Sequence, residues 1–112
     1  MISKKVINAW QHKLGLDDWK ILVKQNCNPD NMYMPDVAGC TSWTECHKEA
    51  CVQLIAPQYY PKDCMTPYNE EKTFVHELLH LKFALLWNSD NSLQDRVIHQ
   101  IIDDLAKALC NE

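Results

Sequence analysis

Phe74-Val75-His76-Glu77-Leu78-Leu79-His80-Leu81 is the stretch on which the reading of this chain turns. Apolar residues crowd it and continue through Phe83, Leu85 and Leu86, so it predicts a helix that lies in the core. His76 and His80 are four residues apart and project from nearly the same face of such a helix. Two neutral imidazoles at that spacing can ligate one zinc ion. Glu77 follows His76, roughly 100° further round by helix periodicity. From there its carboxylate can reach a water on the metal without itself being a ligand. Zinc acidifies such a water, and a glutamate in that place takes the proton and later returns it to a leaving amine. The bland alternative is a helix whose histidines only make hydrogen bonds. Two histidines and a glutamate among so many apolar side chains are costly unless they are paired or bind something.

A catalytic zinc site needs a third protein ligand and keeps a fourth position for water. Downstream, His99 and Asp95 are the candidates. The motif helix is expected to start near Asn69-Glu70-Glu71, whose acids suit a helix N-terminus, and to run to about Trp87. Asn88-Ser89-Asp90-Asn91 breaks it. Ser92 and Asp95 then form a capping box for a last helix reaching about Leu109. Asp95 thus has a structural task already. His99 lies one turn further in, beside the stripe Val97, Ile98, Ile101, Ile102, Leu105 and Leu109, and is the preferred third ligand. Asp103, one turn after His99, can accept a hydrogen bond from a ligand imidazole and fix its orientation.

The N-terminal half supplies the rest of the fold. Ser3 caps a helix to about Leu14, with Val6, Ile7, Trp10 and Leu14 on one face and Gly15 as its stop. Trp19 to Lys24 alternates as a half-buried strand, with Trp19, Ile21 and Val23 facing one way. Asn26 to Asp36 reads as a loop. Ala38 to Thr44 and Glu49 to Ala56 read as two strands joined through Glu45, Cys46, His47 and Lys48. Pro57 to Pro67 is an irregular connection. The fold expected is α+β: an N-terminal helix, a small antiparallel sheet of about three strands, the motif helix and a C-terminal helix, in one domain over residues 1–112.

Composition narrows the function classes. The net charge is -4 with both signs interspersed, which argues against a nucleic-acid footprint. No apolar run approaches the roughly 20 residues of a membrane span, and the first residues lack the pattern of a signal peptide. A cytoplasmic setting is therefore expected, in which the six cysteines stay reduced. Cys46-His47 between Cys40 and Cys51 invites a second metal, but no Cys-x-x-Cys pair supports it. His12 and His47 read as surface residues. Tyr59, Tyr60 and Tyr68 read as aromatic anchors of the Pro-rich loop, or else as one donor to a tetrahedral intermediate.

With these residues in place, the chain resembles a zincin metallopeptidase of the minimal kind found in phage and mobile-element proteins. The resemblance runs from Leu14-Gly15-Leu16-Asp17-Asp18-Trp19 through Ala50-Cys51-Val52-Gln53-Leu54-Ile55 and the motif to the segment His99–Leu109. Only His76-Glu77-Leu78-Leu79-His80 is highly specific. In the similar gluzincins, a glutamate ligand on the downstream helix is followed four residues later by an aspartate. The matching positions here are His99 and Asp103, so a histidine stands where that group has glutamate, and Asp95 stays open as a rival. The resemblance implies Zn2+ held by His76, His80 and His99, Glu77 as the catalytic base, and a peptide or protein substrate. It also implies that the peptide lies as an added strand along an exposed sheet edge, for which Glu49 to Ala56 is the candidate. Two other classes remain: a regulatory or binding protein with a structural zinc and no turnover, and a secreted factor stapled by disulfides.

Overall fold

Ser3 opens the first helix as its residue type requires. In the computed structural model its Oγ accepts from the Val6 N–H at 3.2 Å, and α1 spans Lys4–Lys13. The structure describes residues 1–34, 37–84 and 92–110, and the side chains of all of these except 92–98. Helix α1 ends at Leu14, and Gly15 follows at φ +71°, where a Cβ would be strained. Trp10 is its buried anchor. The Trp10 indole N–H donates to Glu71 Oε2 at 2.6 Å, which ties α1 to the start of the motif helix.

The strands form where alternation places them: β1 at Lys20–Cys27, β2 at Gly39–Thr44 and β3 at Glu49–Ile55. Their order is β1-β3-β2, with β3 parallel to β1 and antiparallel to β2. The sheet is therefore mixed, not wholly antiparallel as expected. The chain turns twice, but the third strand enters between the first two, so it pairs with β1 in the same direction. The Glu45–His47 turn and Lys48, at φ 51°, make the β2–β3 link that the sequence suggests.

This order corrects the expected substrate edge. Glu49–Ile55 is the central strand, hydrogen-bonded on both sides, and cannot accept a further strand. The physical reason lies in its two faces. Val52 and Leu54 are fully buried towards the core, while Gln53 and Ile55 on the opposite face are also buried. The loop after β1 and the adjoining strand reach that second face: Gln53 Oε1 accepts from the Tyr33 N–H in the loop at 2.9 Å and from the Cys40 thiol on β2 at 3.1 Å. The edges of the sheet are β1 and β2, and β2 is the one beside the motif helix.

Helix α2 spans Glu70–Ala84, with Asn69 Oδ1 accepting from the Lys72 N–H at 3.0 Å. It packs against β2, β3 and the last helix, α3 at Ser92–Cys110, and buries Phe74, Val75, Leu78, Leu79 and Leu81. Ile102 and Ala106 bring α3 into the same core as Trp10, Leu16, Trp19, Val52 and Leu54. The expected continuation of α2 to Trp87 and the break at Asn88 to Asn91 lie outside the described residues. So do the side chains of the Ser92–Asp95 box, and with them any test of Asp95 as a ligand. The six cysteines are all free thiols. Among the described residues, no helix is long and apolar enough to cross a membrane.

Candidate metal centre

The helical spacing of His76 and His80 brings their rings together as expected: the two Nε2 atoms are 3.0 Å apart. His99 on α3 closes the triangle, with ring centroids 5.0 Å from His76 and 4.9 Å from His80. The potential ligand nitrogens of all three lie within 4.8 Å of one another. Three histidine residues are thus placed so that they could hold one metal ion. His76 and His80 are half-buried and His99 is exposed, so the cluster opens on one side.

An all-imidazole donor set suits zinc, copper, iron or nickel alike. Nitrogens bound at roughly 2.0–2.1 Å in tetrahedral geometry stand about 3.3 Å apart, close to the His76–His80 separation. Burial, then the neighbouring His76 and His99, pushes the His80 ring down to about 4. Burial and His99 also lower His76, against the opposing pull of Asp103. Both rings are therefore held neutral, the form that ligates.

Asp103 supports this cluster from α3, though not through its own helix neighbour His99. Its Oδ1 stands 3.6 Å from His76 Nδ1, and its Oδ2 pairs with Lys107 at 3.1 Å. Burial acts to raise its carboxyl, but Lys107, Lys72 and His76 outweigh that and hold it below the usual carboxylate range. An ionised carboxylate on the far nitrogen of a ligand imidazole orients the ring and makes it more basic.

Glu77 is buried, 7 % exposed. Its Oε1 accepts from the Thr41 hydroxyl at 2.7 Å. Burial pushes its carboxyl up to about 7, against the lowering effect of that bond. A carboxyl poised there can both take and give a proton near neutrality. Its approach to β2 depends on Gly39. A Cβ at Gly39 would lie 2.8 Å from Thr73 Cγ2, 3.2 Å from the Gln53 carbonyl oxygen and 3.3 Å from Glu77 Cγ.

Of these groups His76, Glu77, His99 and Asp103 share one cleft of about 260 Å³ with Val37, Ala38 and Gly39 on the strand side and Lys72 and Thr73 on α2; His80 is not in its lining. A larger, more open hollow of about 590 Å³ lies across Leu22, Ser42, Trp43 and Cys51 and includes none of the three histidines, nor Glu77. Its size reflects an uncovered part of the sheet.

The other residues singled out from the sequence lie elsewhere. His12 pairs with Asp17 at 3.0 Å on the surface, and His47 is exposed in the β2–β3 turn. Tyr68 donates to the Ile55 carbonyl at 2.9 Å and stacks on Tyr60, which donates to Thr66 O at 3.1 Å. Tyr59 accepts from Asn28 at 3.3 Å. The three tyrosines anchor their loop. Sequence reasoning missed Thr41 and Gly39. A lone glycine opening an otherwise β-forming run is a sign of close backbone approach, and it was there to be read. Thr41 carries no such sign, because a threonine in a strand is ordinary.

Comparison with models of known protein families, with curated proteins and with solved structures found no match to this chain.

Proposed function

We propose that this chain is a zinc-dependent hydrolase that cleaves amide bonds, acting on a peptide or protein. The observation that carries the reading is a buried carboxyl, Glu77, lining the same cleft as His76 and His99, two of the three converging histidines. A structural site has no use for a glutamate in that place. His76, His80 and His99 would hold a zinc ion, which would supply a Lewis acid for the carbonyl and lower the pKa of water. Glu77 removes a proton from the attacking water and returns it to the leaving amine as the C–N bond breaks. Asp103 keeps the His76 ring in its ligating orientation.

Strand β2 is the edge beside the cleft, so a substrate strand pairs with β2 at Gly39 to Thr44 and its scissile bond lies near Glu77. The open cleft suits an extended chain rather than an enclosed small molecule. Six free thiols accord with a reducing, cytoplasmic setting.

A second reading has one observation in its favour. The three imidazoles join α2 to α3, so a metal there also staples the fold, as in a regulatory domain with structural zinc. Glu77→Gln separates the two. In the hydrolase it abolishes peptide cleavage and leaves one zinc per chain. Zinc bound by the wild type with no cleavage across a broad peptide library would instead favour the structural reading. A wild type that takes up no metal would remove both.

A further inference from the structure

We infer that Thr41 is a positioning residue for the Glu77 base: its hydroxyl holds Oε1, so that proton transfer runs through Oε2. The inference rests on the hydrolase reading above. Thr41 stands opposite Val52 in the β2–β3 register, on the face turned towards the core. Its Oγ1 lies 2.7 Å from Glu77 Oε1 and 3.5 Å from the Glu77 carbonyl oxygen. A carboxylate on a helix has freedom about its last side-chain bonds, and a general base must be held within hydrogen-bond reach of the proton it takes. Among the described residues no donor reaches Oε2, and no buried side-chain polar atom lacks a partner. Oε2 is thus the oxygen left to the cleft that Glu77 lines.

The neighbouring inward position on β2 makes this contact possible. Gly39 has no side chain, and α2 comes so close that a methyl there would collide with Thr73 Cγ2 at 2.8 Å. Two inward positions of one strand therefore act together: Gly39 lets the helix approach, and Thr41 then grips the carboxyl that the helix brings. The strand proposed to carry the substrate is the strand that sets the base, so base and substrate share one rigid element. The proton balance is simple. A water O–H breaks, Oε2 takes the proton, and the same oxygen passes it to the leaving nitrogen.

The test uses the zinc-loaded protein with Thr41→Val and Thr41→Ser. Valine keeps the shape and loses the hydroxyl; serine keeps the hydroxyl and loses the methyl. We expect Thr41→Val to lower kcat about 10- to 100-fold with KM within about twofold. Zinc content should not change, and Thr41→Ser should restore most of kcat. A second readout needs no turnover. A slowly exchanging hydroxyl proton should be visible by NMR in the wild type, absent in Thr41→Val and shifted in Glu77→Gln. Full kcat in folded, zinc-loaded Thr41→Val would overturn the inference, as would a serine variant as slow as valine, or absence of the hydroxyl proton in an active enzyme. A wild type that binds zinc, shows the proton and cleaves nothing would remove the hydrolase reading, and the catalytic half of this inference with it.

Discussion

His76 Nε2 and His80 Nε2 lie 3.0 Å apart, closer than two unprotonated ring nitrogens can rest without a proton or a cation between them. In the metal-free fold that proton is the N–H of one neutral ring donated to the other, and a metal ion would take its place on binding. We expect one zinc per chain, measured by mass spectrometry of native protein. His76→Ala or His80→Ala should abolish it. His99→Ala should weaken it by several orders of magnitude, since one of three protein ligands is lost. Full zinc occupancy in His99→Ala at limiting metal would remove His99 from the ligand set.

The environment of Glu77 sets a pH dependence whose sign is definite. In the metal-free fold its carboxyl titrates near 7 against an ordinary 4.5, because it is buried. The folded state therefore keeps a proton that the unfolded chain gives up above 4.5. Stability from this group is fully present below about 4.5 and is lost as pH rises through about 7. Glu77→Gln does not titrate. Its stability advantage over wild type should be near zero at pH 4.5 and level off above pH 7, on the order of 3 kcal/mol. Urea denaturation of both metal-free proteins across that range measures it. A pH-independent difference would mean that the carboxyl is not desolvated.

The histidines impose the opposite slope. His80, held down to about 4 from 6.5, is neutral in the fold where the unfolded chain would protonate it. Metal-free Glu77→Gln should therefore lose stability as pH falls from about 6.5 to about 4. In the wild type the two effects partly cancel between about 4.5 and 6.5, and its stability profile there should be flatter.

Gly39 and Thr73 make a steric pair. Gly39→Ala should cost about 1–3 kcal/mol by overpacking, read from the denaturation midpoint at unchanged slope. Thr73→Ser removes the Cγ2 atom that the new methyl meets. The double variant should recover part of the loss, a non-additivity that a mutant cycle isolates. Strict additivity would place the damage instead at the Gln53 carbonyl, the backbone atom nearest the new methyl after Thr73.

Asp103 is expected to act on the metal through His76. Asp103→Asn keeps the size and removes the charge, and should weaken zinc about 10-fold. Competition with a chelator measures it, and Glu77→Gln in the same assay should hold zinc as the wild type does.

Most of the elements and most of the cleft can be read from residue types and spacing. Ser3, Gly15 and Asn69 mark helix ends by their own chemistry, and α1 and α2 begin where they direct. His76, His80 and Glu77 follow from helix periodicity, and His99 from its place one turn along an amphipathic segment. What escapes is whatever depends on neighbours in space. Alternation shows that residues 49–55 form a strand, but not that the strand lies between two others. The sign of that is the burial of Gln53 and Ile55 on its second face, where Gln53 takes the Tyr33 N–H from a loop 20 positions away. Likewise the partner of Asp103 is His76 across the helix pair, which no periodicity within α3 can indicate.

The placing of the last strand in the middle of the sheet also bears on the order of assembly. Pairing β2 with β3 closes only the short turn at Glu45–His47, whereas pairing β1 with β3 joins Val23 to Val52 across the length of the loop and hairpin between them. The local hairpin has little loop entropy to overcome and the parallel pair has much more. The strand bearing Gly39 and Thr41 is therefore expected in the early folding nucleus, with β1 docking on it afterwards. Conservative substitutions at Val52 on its hairpin side should slow folding, while those at Val23 should chiefly speed unfolding. The wall against which the base is set would then be among the first parts of the molecule to exist.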